Sequence, residues 1–397
     1  MNVNEIKNIE NIIPLDEGEK IIKQTVNRLT APGENYGSLM LSVDITVETQ
    51  DGEMKEINAV AKMVPPNEFI QKIFNTQVTF RNEIGFYKNI VPTLQNFQRE
   101  HGVQEVIDFS SKYIGSRINL KDDNTQVDSD AVLLLENLKL SNFKNLERTE
   151  GFDLDVSKLV IKDLAYLHGV SLALKLQKPD VFENEVKRFL TTLKMDDSEG
   201  AEQMKAKIRK LIESVDGCKP FVSRVMKAID QPPNLQPREP FATISHNDVW
   251  VNNTMIQLDR KKPIKNKLVD FQVCNYGSPA KDLLFFLFSS VKNHILEKHY
   301  NDLVQFYHRT FTSVLKELKC DTTQFSFGAF EKELDYEARN SQFGHIVFMC
   351  FPIFAPKGSV KDIAELLPGE FSDGPPTELH KQKLAFVIKE FIKRNWI

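Results

Sequence analysis

The stretch His246-Asn247-Asp248-Val249-Trp250-Val251-Asn252-Asn253, followed by Leu268-Val269-Asp270-Phe271-Gln272, constrains the fold more than any other part of the chain. Between the two lie segments with their own pattern. Thr254 to Leu258 reads as a short strand, Asp259 to Pro263 as a turn, and Lys265 to Val269 as the returning strand. In an antiparallel hairpin the start of one strand lies beside the end of the other. Asn253 and Asp270 are thereby brought together at the open end, with Asp248 on the loop leading in. Three oxygen-bearing side chains converge on one place.

That convergence suits phosphoryl transfer. Magnesium takes a few hard oxygen ligands and keeps the rest of its shell for water and phosphate. Asn253 and Asp270 supply an amide and a carboxylate for Mg2+. Asp248 supplies a further carboxylate that can orient an acceptor hydroxyl and take its proton. His-x-Asp-x-x-x-x-Asn with a downstream Asp-Phe is the spacing of a kinase catalytic loop and its metal-binding aspartate. A lone His-x-Asp is weak, whereas the full ordered set is much more specific. The plainer alternative is that Asp248 and Asn253 cap a turn and Asp270 ends a strand.

The first third of the chain supports the same chemistry independently. Ile21 to Thr30 is expected as a first strand, and Leu39 to Thr49 alternates, with Leu41, Val43, Ile45 and Val47 on one face. Asp51-Gly52 signals a hairpin turn, with Ile57 to Val64 returning. Lys62 lies in the apolar run Ala59-Val60-Ala61-Lys62-Met63-Val64, where an ammonium needs an anionic partner. The next helix, expected over Phe69 to Ile90, carries Glu83 on its Phe80/Ile84/Tyr87 stripe. A Lys62–Glu83 pair satisfies both and leaves the ammonium able to reach ATP phosphates. The alternative is an edge-strand lysine and a surface glutamate. The loop Gly33-Glu34-Asn35-Tyr36-Gly37-Ser38 can offer backbone amides to phosphates, with Asn35, Tyr36 and Ser38 as its candidates, or it is an ordinary turn. Val132 to Leu135 reads as a buried strand. Glu136 to Leu138, just past it, offers backbone groups to adenine or serves only as a linker.

Beyond Ser141 the pattern turns helical: Ser157 to Leu176, Glu183 to Ser214, then a proline-rich connector from Gln231 to Pro240, and helices from Lys281 onward. The expected class is α+β and two-lobed. An N-terminal lobe, residues 1–137, has an antiparallel sheet and one main helix. A larger, mostly helical lobe, residues 138–397, carries the catalytic loop and acceptor pocket. Asp282, at the start of an apolar helix, is read as a structural brace for the catalytic loop, and His246 as a packed, hydrogen-bonded histidine. His168 and His345 are assigned no chemistry.

Composition narrows the partners. A net charge of −4 over 397 residues lacks the basic excess of a nucleic-acid binder. Leu283 to Val291 is the most apolar run and is too short to cross a membrane. Cys218, Cys274, Cys320 and Cys350 form no CxxC pair, and the first ten residues are polar and charged, so free thiols and a cytoplasmic setting are expected. Nothing points to an obligate protein partner. Only about a dozen residues separate Asp270 from Asp282, and no Ala-Pro-Glu follows, which leaves no room for the long activation segment of a protein kinase. The acceptor is therefore expected to be a small molecule. The aromatic-rich region Phe325, Phe327, Phe330, Tyr336, Phe343, Phe348, Phe351 and Phe354 builds either its pocket or plain helical core.

Several motifs together resemble the ecdysteroid kinase-like family. They are Gly33-Glu34-Asn35-Tyr36, Ala61-Lys62-Met63-Val64-Pro65, Phe80-Arg81-Asn82-Glu83-Ile84-Gly85-Phe86-Tyr87, Leu135-Glu136-Asn137-Leu138 and Leu164-Ala165-Tyr166-Leu167-His168. The His246–Asn253 loop, Val269-Asp270-Phe271-Gln272 and Tyr276-Gly277-Ser278-Pro279-Ala280-Lys281-Asp282-Leu283-Leu284 complete the set. The resemblance implies a protein-kinase-like fold akin to choline and aminoglycoside kinases. It implies transfer of the γ-phosphoryl of ATP to a hydroxyl of a steroid, a xenobiotic or another small compound. Asp248 is then the base, Asn253 and Asp270 the Mg2+ ligands, and Lys62 the phosphate anchor. One departure stands out: the family usually has glycine where this chain has Asn247, which adds a side chain beside the catalytic loop. A non-catalytic small-ligand-binding protein on the same fold is the alternative function.

Overall fold

The computed structural model describes residues 3–29, 38–121, 123, 125–192, 198–232, 236–356 and 375–397. Its first layer is a five-stranded antiparallel sheet built from β1 (Lys20–Arg28), β2 (Leu39–Glu48), β3 (Met54–Met63), β4 (Tyr113–Arg117) and β5 (Val132–Glu136), in the order β1-β2-β3-β5-β4. The Asp51-Gly52 turn forms as expected, with Gly52 at φ 78 and its N–H donating to the Thr49 carbonyl at 3.0 Å. Leu41, Val43, Ile45 and Val47 are buried on one face, together with Ala59, Ala61, Met63, Val132 and Leu134.

That face is covered by the N-terminal residues Ile6, Ile9, Ile12 and Ile13, which sequence patterning did not bring into the core. The isoleucines follow no sustained helical or strand period, because the segment lies across the sheet as an irregular strap. Gln24 holds it by a reciprocal amide pair with the backbone of Ile6, at 3.0 and 3.2 Å. The opposite face of β3 carries Val60 and Lys62, the strand's period of two separating Lys62 from this cluster.

The helix expected over Phe69 to Ile90 is longer and interrupted. It comprises α1 (Glu68–Ile73), α2 (Thr76–Gly85), a π turn over Phe86–Ile90 and α3 (Val91–Glu100). Asn67 caps α1 by accepting the amides of Phe69 and Ile70. Asn75, at φ 44, breaks the helix between α1 and α2. Pro92 lacks the N–H that would continue the ladder, and the helix widens into the π turn just ahead of it.

The chain then leaves the sheet past Glu136 through a short 3-10 turn, Leu138–Ser141, into β6 (Phe143–Lys144). The second part is built on α4 (Leu154–Gln177), capped by Asp153, whose Oδ1 accepts the Val156 amide at 3.0 Å. The expected helix from Glu183 to Ser214 does not form continuously. A π turn (Phe182–Val186) and a 3-10 turn (Lys187–Phe189) come first, and residues 193–197 fall outside the described part. Phe189 packs against Gly85 of α2, a tertiary contact that overrides local helical preference. Helix α5 (Ser198–Ser214) and α6 (Val222–Ile229) follow.

Next come β7 (Thr243–Ser245), β8 (Thr254–Asp259), β9 (Lys262–Leu268) and β10 (Asn275–Gly277), then α7 (Pro279–Ser290), α8 (Asn293–Glu317), α9 (Phe327–Glu337), α10 (Phe343–Phe354) and α11 (Glu378–Lys393). Strands β6, β8 and β9 form one small sheet, and β7 pairs with β10. Every residue of α7 is buried, which accounts for the apolar run at Leu283. Gly169 lets α4 and α8 approach closely, since a Cβ there would come within 2.9 Å of a Val314 methyl. Of the later aromatics, Phe325, Phe330, Phe343 and Phe354 are core residues, whereas Phe348 is 40% exposed. Among the described residues no helix is long and apolar enough to cross a membrane.

The strap makes a stability prediction. Ile9→Ala should lower the unfolding free energy by about 2–5 kcal/mol, read as a lower urea midpoint. Ile22→Ala, at a position 53% exposed, should change it by no more than about 0.5 kcal/mol.

Candidate active site

The hairpin expected from sequence is present, with a tighter turn. Asp259 pairs with Lys262, so only Arg260 and Lys261 form the loop, at φ 47 and 73. Both positive angles fit a two-residue hairpin turn. Pro263 enters β9 beside an irregularity at Gln257/Leu258, where a missing N–H is tolerated. At the open end the Val269 amide donates to the Asn253 carbonyl at 3.0 Å, which joins the two loops.

Asp248, Asn253 and Asp270 meet there. The Asn253 side-chain amide donates to Asp248 Oδ2 at 2.7 Å and to the Asp248 carbonyl at 2.9 Å. Burial, and then the Asp270 charge, push the Asp248 carboxyl well above the usual range, against the opposing hydrogen bond from Asn253. Asp270 adopts φ 66, an uncommon conformation outside glycine.

Lys62 reaches this cluster from β3. Its Nζ lies 2.5 Å from Glu83 Oε2 and 2.7 Å from Asp270 Oδ1. The Lys62–Glu83 pair was expected from sequence, and the bond to Asp270 joins the sheet directly to the hairpin. Burial alone would lower the Lys62 pKa, but the two carboxylates outweigh it and hold the ammonium charged. Burial pushes Glu83 up, against the pull of Lys62.

Asp282 braces the loop, as expected. From the first turn of α7 its carboxylate accepts the His246 amide at 2.6 Å, the Asn247 amide at 2.7 Å and His168 Nε2 at 3.0 Å. His168 in turn meets the Tyr307 hydroxyl at 2.7 Å. Burial would raise Asp282, but these partners outweigh it and hold it below its ordinary value. His246 is fully buried, with Nε2 3.1 Å from the Val269 carbonyl. Burial lowers its pKa.

Asn247 does not distort the loop. It adopts φ 64, the left-handed conformation that glycine supplies elsewhere and that asparagine tolerates.

The remaining sequence candidates are less closely tied to the cluster. Ser38 is buried, with its hydroxyl 3.7 Å from the Met40 sulfur. Gly33, Asn35 and Tyr36 lie outside the described residues. The Glu136 amide donates to the Lys112 carbonyl at 2.9 Å, and its side chain accepts the Lys112 amide at 3.3 Å. Leu138 is buried against Phe143 and Met255.

Three features escaped sequence reading. Phe271, after Asp270, stacks on Phe86 at 3.9 Å and meets Tyr87 edge-on at 5.4 Å and His246 at 4.8 Å. The Asp-Phe pair was the available signal for that aromatic column. Asn145 donates to the carbonyls of Asn252 at 2.8 Å and Thr254 at 3.0 Å. Three residues on, the Arg148 guanidinium donates to the carbonyls of Pro352 and Ala355, each at 2.6 Å, and to that of Ile353, so it caps the end of α10. These loop residues carry no periodic signature.

The sequence pattern of the ecdysteroid kinase-like family matches residues 32–320, most of the chain. The chain belongs to the ecdysteroid kinase-like family. Its two-part architecture is the protein-kinase-like fold, and membership places it among phosphotransferases acting on hydroxyl groups. Among solved structures it is similar to a Ralstonia eutropha protein assigned as an aminoglycoside phosphotransferase (11% identity, 96% of each chain covered, TM-score 0.45). It is also similar to an ethanolamine kinase from Plasmodium vivax (9% identity, 98% of this chain and 86% of that one, TM-score 0.44). A third is aminoglycoside 2'-phosphotransferase-IIIa in its GDP complex (10% identity, 93% of each chain, TM-score 0.43). Likenesses this faint say nothing of the acceptor. No curated protein sequence matches the chain.

Removing the brace should be costly. Asp282→Ala leaves a buried amide, a half-buried one and His168 without their acceptor. It should destabilise the fold by about 3–5 kcal/mol in chemical denaturation.

Proposed function

We propose that this chain is an ATP-dependent kinase that phosphorylates a hydroxyl group on a small molecule. The observation that carries the reading is the junction itself. Lys62 from the sheet, 2.7 Å from Asp270, faces an Asp248–Asn253 pair bonded at 2.7 Å on the adjoining loop. In this reading Lys62, oriented by Glu83, anchors the nucleotide phosphates. The backbone at Glu136 and Leu138 meets the base, and Asn35, Tyr36 and Ser38 border the phosphates. Residues 1–137 thus form the nucleotide-covering lobe, and residues 138–397 hold the catalytic loop and acceptor.

Asp248 acts as the general base. It orients the acceptor hydroxyl and takes its proton as the oxygen bonds to the γ-phosphorus. The bond from that phosphorus to the bridging oxygen breaks, and ADP leaves.

The donor set fits Mg2+. Among the described residues no three His, Cys, Asp or Glu side chains form a cage that could hold an ion by themselves. An amide oxygen and a carboxylate on adjoining loops would instead give the protein's share of a site completed by phosphate and water. The Asn253 N–H groups are engaged by Asp248, which reserves its Oδ1 for a cation. Asp270 Oδ1 is held by Lys62, and its other oxygen would complete the protein's share. When bound, the ion neutralises phosphate charge.

A small acceptor suits the segment after Asp270. Cys274 closes back on Phe271, and Asn275–Gly277 pairs at once with Thr243–Ser245. No platform for a peptide intervenes. The family's description suggests an ecdysteroid-like acceptor, and the same reading admits other small hydroxylated compounds, steroid or xenobiotic. Four unpaired cysteines, three of them buried, suit a cytoplasmic setting.

Incubation with ATP, Mg2+ and a panel of hydroxylated steroids and xenobiotics should give a product heavier by one phosphoryl group in mass spectrometry. Asp248→Asn should cut its rate by about 10²–10⁴-fold while nucleotide binding persists. Unchanged turnover in that variant would remove Asp248 from the role. Lys62→Met should weaken ATP binding and, by leaving Glu83 and Asp270 without their cation, lower the melting temperature of a protein that still folds.

A further inference from the structure

Asn247 does more than tolerate a backbone angle. Its side-chain amide donates to the Ser245 carbonyl at 3.2 Å and to the Val273 carbonyl at 3.0 Å. Its own N–H donates to Asp282 Oδ1 at 2.7 Å. Ser245 ends the strand that feeds the catalytic loop. Val273 belongs to the turn that leaves Asp270. One amide therefore spans the two chain segments that deliver Asp248 and Asp270.

The span counters a specific difficulty. When both are ionised the Asp248 and Asp270 carboxylates repel each other, and Asp270 holds a left-handed conformation, φ 66, that favours glycine. Upstream, the Asp270 loop is fastened by the Val269 amide to the Asn253 carbonyl. Downstream, the turn is fastened at Val273 by Asn247. A glycine at position 247 would supply the left-handed angle more easily but could not make the second tie.

We propose that Asn247 is a positioning residue whose side-chain amide sets the placement of Asp270 relative to Asp248, and through it the divalent-cation affinity of the nucleotide site. The inference rests on the kinase reading above. Asn247 touches neither nucleotide nor acceptor in this scheme.

Three variants separate the side chain from the backbone angle. Asn247→Gly keeps the left-handed angle and removes the tie. Asn247→Asp keeps a side chain that tolerates the angle but cannot donate when ionised, and it faces two carbonyl oxygens. Asn247→Ala loses the tie and strains the angle. ADP affinity is measured by calorimetry across a Mg2+ series, with melting curves alongside and turnover where a product is detected. For the Gly and Asp variants the Mg2+ concentration giving half-maximal enhancement of ADP binding should rise about 10-fold or more, the usual scale for residues supporting a metal ligand. ADP affinity without Mg2+ should stay level, and kcat should fall while KM for ATP holds. If the Gly and Asp variants follow the wild-type Mg2+ curve and only Ala is impaired, the backbone angle alone matters and the proposal is overturned. Should one of the Gly and Asp variants fail to fold, the Mg2+ curve of the other decides between these outcomes. If the wild-type protein shows no Mg2+ dependence in nucleotide binding, the kinase reading falls first and takes this inference with it.

Discussion

Lys62 is the point on which the two halves of the molecule agree. Its ammonium, buried between Glu83 and Asp270, connects a sheet strand, a helix and the open end of a hairpin by ion pairing and a hydrogen bond. A buried ammonium is unfavourable unless paired, and removing either partner would leave an uncompensated charge. The pairing therefore fixes how the β3 strand meets the hairpin. The Phe271–Phe86 stack supplies the apolar counterpart of the same connection, one residue beyond Asp270.

Around this junction the catalytic loop is held mostly by backbone groups. Asp282 accepts two consecutive loop amides, His246 meets the Val269 carbonyl, and Asn145 takes the carbonyls at its far end. Such ties fix a loop that has no regular ladder of its own. Asn145 and Arg148 also share one short segment. It grips the loop at one end and the last turn of α10 at the other, so the aromatic helix Phe343–Phe354 is referenced to the loop bearing Asp248.

Much of this was legible in the sequence because the chemistry was concentrated in order. The spacing from Asp248 to Asn253, the apolar strands after it and the position of Asp270 sufficed to bring those three together. Lys62 and Glu83 were legible because each is a charge on an apolar face. Asp282 was legible from its place at the head of an apolar helix. What escaped depends on contacts distant in sequence. The isoleucine strap has no period, the break at Asn75 depends on one left-handed residue, and Phe189 is drawn from helix by its contact with Gly85. Asn247 looked like a departure from the family's glycine. The Val273 carbonyl that gives its amide a purpose comes from a turn 26 residues away.

In the proposed kinase, Asn253 and Asp270 share a cation that faces Lys62 in the nucleotide site. A crystal structure with a non-hydrolysable ATP analogue and Mn2+, with the metal located by anomalous scattering, tests it most directly. A metal peak within bonding distance of Asn253 Oδ1 and the Asp270 carboxylate, with Lys62 Nζ turned toward the phosphates, is the expected result. A bound nucleotide whose metal contacts neither residue, or one seated away from Lys62, would contradict it.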